Sequence, residues 1–222
     1  MLNLIIVLIL SYLVGSIPTS IIVTKLVKGV DIRDYGSGNA GGTNTIRVLG
    51  WKYGLGVILF DAFKGAFAVI VIARLYYGSF PFANNTPFDD FTLIQILSGI
   101  AAVLGHIWTI FAGFKGGKGI ATALGFMLVL VTTDMLLALV VFGIVVYSTR
   151  YVSLGSVSAA LSLPIIIFIR ENIFGVNIHG YHTILPFVII IASLLIYKHK
   201  HNIVRILHGE ESKISFNKEK RK

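Results

Sequence analysis

Long apolar runs separated by short polar segments dominate the chain, and most are of a length that crosses a bilayer. Residues 2–24 form the first, broken at Gly15-Ser16-Ile17-Pro18-Thr19-Ser20, where Pro18 predicts a kink near the helix end. No basic residue opens this run, which predicts a retained membrane helix rather than a cleaved signal peptide. Residues 51–77 give a second helix, with Trp51, Tyr53, Tyr76 and Tyr77 as interfacial anchors, and residues 91–111 a third. The run 119–147 is too long for one simple span. Thr132-Thr133-Asp134 in its middle is an N-cap signal that divides it into helices 119–131 and 134–148. Residues 152–169 and 181–197 complete seven predicted helices of one all-α membrane domain over 1–222, ending in a basic tail, 198–222.

Composition supports this setting. Hydrophobic residues make up 55% of the chain and charged residues 13%, too apolar a balance for a soluble core of this size. The absence of cysteine excludes disulfides, thiolate catalysis and cysteine-based metal sites. The net charge of +9 could suggest nucleic acid, but the basic residues sit in short loops and a tail beside apolar runs. Lipid phosphate is the anion that this placement favours, and no nucleic-acid partner is expected. With the N-terminus outside, the inner segments carry Lys25, Lys28, Arg33, Arg47, Lys52, Lys115, Lys118, Arg150 and the basic tail, whereas the outer ones carry only Arg74 and Arg170. That asymmetry predicts an outer N-terminus and a cytoplasmic C-terminus. Every glycine-rich polar motif then falls on the cytoplasmic face.

The most polar motif, Gly36-Ser37-Gly38-Asn39-Ala40-Gly41-Gly42-Thr43-Asn44-Thr45-Ile46-Arg47, lies between two membrane runs. Its glycines leave backbone N–H groups unshielded, Ser37, Asn39, Thr43 and Asn44 add side-chain donors, and Arg47 offers a planar fork suited to phosphate. It reads as a phosphate cradle, the alternative being a polar interhelical loop whose glycines serve only its turns. The second motif, 105–122, contains Lys115-Gly116-Gly117-Lys118-Gly119 ahead of a predicted helix, an arrangement suited to an anion. It is not a Walker A loop: Gly119 stands where Ser or Thr should follow Lys118, and Ala112 stands where the first Gly should be. His106, in apolar sequence, reads as a hydrogen-bonded packing histidine. Asp61 and Lys64, three apart within the second helix, read as a structural ion pair.

The third motif begins directly after the last helix, His199-Lys200-His201-Asn202, and runs to Glu211. On a continuing helix His199 and Asn202 would share a face. The ordinary role of such a basic segment is anchorage to anionic lipid, and residues 218–222 are given wholly to that role. No carboxylate stands at a recognised metal-ligand spacing from these histidines, so no metal is expected.

Together the motifs resemble one family across essentially the whole chain: the bacterial acyl-phosphate:glycerol-3-phosphate acyltransferases, the PlsY family. The resemblance rests on Gly15-Ser16-Ile17-Pro18, residues 36–47, residues 61–65, Gly116-Gly117-Lys118-Gly119 and the tail from His199 to Glu211. Members more often carry Ala where Gly42 stands and Arg where Lys200 stands. The resemblance implies a seven-helix, multi-pass enzyme of the bacterial cytoplasmic membrane. It would move a fatty acyl group from acyl phosphate to the sn-1 hydroxyl of glycerol 3-phosphate, giving lysophosphatidic acid and phosphate for phospholipid synthesis. No cofactor and no obligate protein partner are implied.

That chemistry suits the residues present. Two phosphorylated substrates need two neighbouring anion sites, and an acyl donor that already carries a good leaving group needs no serine nucleophile. The expected roles assign the acyl phosphate to the amides of residues 38–42, Gly38, Gly41 and Gly42 among them, with Ser37, Asn39, Thr43 and Asn44. Arg47 and Lys118 clamp phosphate, and Gly116, Gly117 and Gly119, with Thr122, receive glycerol 3-phosphate. His199 and Asn202 orient it, His199 being also a possible base, and Ser153 and Ser156 line the site. Two rival functions have less support in the sequence. A transporter of a phosphorylated metabolite should place its motifs near the midplane of two repeats, and no repeat is visible. An acyl-CoA-dependent acyltransferase with Asp five residues after His has no matching histidine in the chain.

Overall fold

The computed structural model describes residues 2–78 and 80–214, and every element among them is helical. The basic cluster 218–222 lies outside the described residues. Among the described residues six helical stretches are long and apolar enough to cross a membrane: Leu2–Lys28, Trp51–Leu75, Asp90–Ala112, Thr132–Thr149, Val152–Asn172 and Tyr181–Lys198. The remaining expected helix, Ile120–Leu130, has 11 residues. At 1.5 Å per residue it is about 16 Å long, roughly half a hydrocarbon core. The chain divides into two compact units, Met1–Thr132 and Thr133–Lys222. Their boundary falls at the Thr132-Thr133-Asp134 break.

In the first unit the predicted kinked helix 2–24 is two helices, α1 (Leu2–Ser16) and α2 (Thr19–Lys28). Pro18 lacks an N–H and sits outside helical geometry between them, at φ −85° and ψ 69°. The second predicted helix, 51–77, ends earlier: α4 covers Trp51–Ile70, and a 3-10 turn, Ile72–Leu75, follows. Ahead of it lies α3 (Gly42–Leu49), so the second half of the predicted loop 36–47 is helical. Its apolar Ile46 is buried, and Gly50 closes it at φ 93°. α5 (Asp90–Ile107) starts at Asp89, whose carboxylate accepts from the Thr92 N–H at 2.7 Å, and α6 is Ile120–Leu130. α1 packs on α5 and α4 on α6. The α4–α6 crossing depends on small residues, because a Cβ on Gly65 would strike the Thr122 carbonyl and one on Gly125 the Ala62 carbonyl.

The second unit contains α7 (Thr132–Thr149), α8 (Val152–Asn172), α9 (Tyr181–Lys198) and α10 (Lys200–Leu207). The predicted break exists, but Asp134 is not its N-cap. α7 begins two residues earlier, Thr132 Oγ1 donates back to the Leu128 carbonyl at 2.7 Å, and Asp134 accepts from Arg170 Nη1 at 2.7 Å. The side chains of the break are thus spent on other partners. α8 runs to Asn172, past the predicted end at 169.

Candidate active site

In the first unit the polar centre is built on the helix break. Pro18 leaves carbonyls near the end of α1 without their helical donors, and Lys64 of α4 supplies replacements. Its Nζ donates to the Gly15 carbonyl at 3.1 Å and the Ile17 carbonyl at 2.7 Å, and pairs with Asp61 Oδ1 at 2.8 Å. Those three acceptors match the three hydrogens of an ammonium group. The ion pair read from the i, i+3 spacing is therefore present, with Lys64 only 1% exposed. Asp61 Oδ1 also accepts from Thr19 Oγ1 at 2.9 Å, at the start of α2. Thr109 donates to the Ser16 carbonyl and Ser16 Oγ to the Gly105 carbonyl, which fastens the break to the end of α5.

The segment 36–47 is held by one side chain. Asn44, 1% exposed, accepts from the Ser37 N–H at 2.9 Å and donates to the carbonyls of Ile32 (3.2 Å), Tyr35 (2.9 Å) and Asn39 (3.1 Å). The expectation that Asn44 donates to phosphate is corrected here: its amide hydrogens are committed to the loop's own carbonyls. Gly38 N–H goes to Tyr35 O and Gly41 N–H to Asn39 O, so these two amides are also spent inside the loop. The expected donor row over 38–42 thereby shifts toward the first turn of α3. There Gly42, Thr43 and Asn44 carry the N–H groups that a helix start leaves without intrahelical acceptors. Gly42 does not loosen the loop as glycine would in a mobile segment. It is buried where a Cβ would strike Ile58 and lie 3.0 Å from the Gly54 carbonyl. Ser37, Asn39 and Thr43 are half-buried on this segment, as is Arg47 in the last turn of α3.

The second motif departs from expectation in the same way. The Gly116 N–H donates to the Ile107 carbonyl and the Gly117 N–H to the His106 carbonyl, both at 3.1 Å. These amides cap the C-terminus of α5 rather than facing an anion. The N–H groups left for an anion are those of the first turn of α6, after Gly119, which adopts φ 86°. Lys118 is half-buried just before it, and Thr122 is fully buried with no hydrogen-bond partner for its hydroxyl among the described residues.

The two motifs meet. A Cβ on Gly117 would collide with the Ala40 carbonyl oxygen on one side and His106 Nε2 on the other, so only glycine lets the segments approach. A second bridge comes from Arg33, which sequence reasoning left among the general basic residues. It pairs with Asp31 at 2.8 Å and donates through Nη1 to the Ala112 carbonyl at 2.9 Å. The hydrogen bond from Arg33 holds the Asp31 carboxyl below its ordinary range despite partial burial, and the guanidinium is raised in turn by that bond. The local signal was the acid–base pair two residues apart.

In the second unit His199 lies between α9 and α10, which interrupts the continuous helix expected there. Its Nδ1 is 2.8 Å from the Leu195 carbonyl. A carbonyl only accepts, so Nδ1 carries a proton. Asn202 Nδ2 donates to Glu211 Oε1 at 2.9 Å, and Ser153 Oγ donates to the same oxygen at 3.0 Å. Arg205 Nε takes Glu211 Oε2 at 2.8 Å. Burial raises the Glu211 pKa, but the hydrogen bonds from Arg205, Asn202 and Ser153 outweigh it and leave the group below its ordinary value. Ser153 and Asn202, expected to face substrate, thus serve the tail's carboxylate in this structure. Ser156 donates to the Val152 carbonyl within α8.

Six apolar stretches long enough to cross a membrane, with two glycine-rich segments that meet at Ala40 and Gly117, mark an integral membrane protein. The chain belongs to the glycerol-3-phosphate acyltransferase family, whose model matches residues 5–209. It is 44% identical to a glycerol-3-phosphate acyltransferase of Chlorobium phaeobacteroides (strain BS1), over 97% of this chain and 98% of that protein. It is 43% identical to one of Chlorobaculum tepidum, over 97% and 98%. Its fold is similar to crystal structures of PlsY (YgiH), an integral membrane glycerol 3-phosphate acyltransferase. The glycerol 3-phosphate form gives a TM-score of 0.79 at 35% identity over 96% of each chain. The lysophosphatidic acid form gives 0.76 at 36% identity over 96% and 95%. Membership of this family replaces the transporter alternative.

Proposed function

We propose that the chain transfers a fatty acyl group from acyl phosphate to the sn-1 hydroxyl of glycerol 3-phosphate, releasing lysophosphatidic acid and inorganic phosphate. Family membership makes it an acyltransferase of glycerol 3-phosphate in phospholipid synthesis. The observation that carries the fuller reading is the meeting of the two phosphate-suited segments at Ala40 and Gly117, with Arg47 on one and Lys118 on the other. Acyl phosphate lies against the first turn of α3 with Ser37, Asn39 and Thr43, where N–H groups also receive the negative charge developing on the acyl carbonyl. Arg47 and Lys118 clamp phosphate oxygens. Glycerol 3-phosphate takes the end of the turn 116–119, at Lys118 and Gly119, and the start of α6.

The hydroxyl oxygen attacks the acyl carbon, the bond to the phosphate oxygen breaks, and the departing phosphate accepts the hydroxyl proton. The N-terminus lies outside and the motifs face the cytoplasm of a bacterial cell, as the distribution of Lys and Arg supports. The test supplies purified protein with labelled glycerol 3-phosphate and either palmitoyl phosphate or palmitoyl-CoA. Labelled lysophosphatidate forms with the first donor alone. Product from acyl-CoA and none from acyl phosphate contradicts the reading.

A further inference from the structure

The buried Asp61–Lys64 pair does more than close a gap in a membrane helix, because of what lies on its far side. His106 Nδ1 stands 3.4 Å from Lys64 Nζ and 3.7 Å from Asp61 Oδ1. The opposite edge of the same ring, Nε2, lies against Gly117 at the point where the turn 116–119 touches the Ala40 carbonyl. The backbone of His106 holds the turn as well, since its carbonyl accepts the Gly117 N–H. An unbroken chain of contacts therefore runs from the Pro18 break, through Lys64 and the imidazole, to the junction of the two glycine-rich segments. Lys64 is tied on several sides, donating to the Gly15 and Ile17 carbonyls and pairing with Asp61, with His106 Nδ1 as a fourth polar neighbour. The ring that abuts it is 10% exposed.

We propose that Asp61, Lys64 and His106 form a buried strut that sets the position of the turn 116–119, with His106 as the positioning residue that determines how tightly the turn holds its phosphate. The imidazole touches the turn and not the reacting atoms. Its loss leaves space below Gly117 into which the turn relaxes, away from the Ala40 carbonyl, and the phosphate held there loses its preorganised site. This inference rests on the reading above that the turn receives a substrate phosphate.

The test compares wild type with His106→Ala, His106→Gln and His106→Asn, with KM for both substrates and kcat measured on detergent-purified protein. His106→Ala raises KM for glycerol 3-phosphate about tenfold, with kcat and KM for acyl phosphate changed less than about threefold. Gln, whose amide reaches the position of Nε2, restores most of the loss, and Asn, which ends near Nδ1, does not. If His106→Ala leaves both KM values within twofold, the strut is refuted. If KM rises for acyl phosphate instead, the strut stands and the assignment of the turn to glycerol 3-phosphate fails. Should His106→Ala be too unstable to purify, Asp61→Asn with Lys64→Met removes both charges without leaving either buried alone and is measured in its place. It raises the same KM; an unchanged KM in that variant also overturns the proposal. A double-mutant cycle gives an independent reading. Gly117→Ala costs at least about threefold less on the His106→Ala background than in wild type, because the colliding ring is gone, and additive losses contradict the strut.

Discussion

Replacing Asn44 by Ala isolates the scaffold of the first motif. The substitution removes one accepted hydrogen bond and two amide hydrogens shared among three carbonyls, all from a side chain that is 1% exposed. At a net 0.5–1.5 kcal/mol for each of three bonds, the closed segment loses about 1.5–4.5 kcal/mol relative to an opened one. The lower figure corresponds to roughly a 10-fold shift in a two-state equilibrium. Because residues 33–39 can open without unpacking the spans, the loss is local. Turnover of Asn44→Ala falls by about 10-fold or more, while the melting temperature in detergent moves only a few degrees. Trypsin then cleaves after Arg33 at a rate well above wild type. Asn44→Asp does no better, since a carboxylate keeps the acceptor for Ser37 but faces the Ile32, Tyr35 and Asn39 carbonyls with no donors. Activity within about threefold of wild type, with unchanged cleavage at Arg33, would refute the scaffold argument.

Other outcomes follow from the same geometry. Gly117→Ala raises the glycerol 3-phosphate requirement in steady-state kinetics, because its Cβ meets Ala40 and His106; an unchanged KM would show that the turn does not approach that substrate. Arg170→Met strands Asp134, 4% exposed, and costs about 3 kcal/mol in denaturant unfolding. Pairing it with Asp134→Asn recovers most of that loss, and equal instability of both variants contradicts the assignment. Glu211 has its pKa lowered below 4.5 in the folded protein, so its contribution is present above the unfolded value and is lost as the pH falls through the folded one. Protection of residues 205–214 against hydrogen exchange, relative to the intrinsic rate at each pH, therefore falls as the pH drops below 4.5, and Glu211→Gln shows weaker protection at neutral pH with little dependence on acid. Acid-insensitive protection in wild type would count against the Glu211 clasp.

What the sequence made legible was whatever depends on local pattern. The apolar runs located the spans, the i, i+3 spacing paired Asp61 with Lys64, and Thr132-Thr133-Asp134 marked the division between the two units. Helix α3 was missed because glycine and asparagine at its start lower helix propensity, while burial of Gly42 and Ile46 against α4 overrides it. The amides of Gly38, Gly41, Gly116 and Gly117 looked available because a sequence lists donors without the acceptors that compete for them. Asn44 likewise reads as a ligand until four partners from one fold of the loop surround it. The meeting of His106, Gly117 and Ala40 joins three separated segments, and no local spacing announces it.

The proposed reaction brings two phosphates together across the Ala40–Gly117 junction and passes an acyl group from one of them to a glycerol hydroxyl. It is tested by the stoichiometry of products from purified protein given acyl phosphate and glycerol 3-phosphate, with Arg47→Ala alongside. One inorganic phosphate is expected for each lysophosphatidate formed, with near-complete loss of both products in a folded Arg47→Ala. Phosphate release without lysophosphatidate, or full activity in that variant, would contradict it.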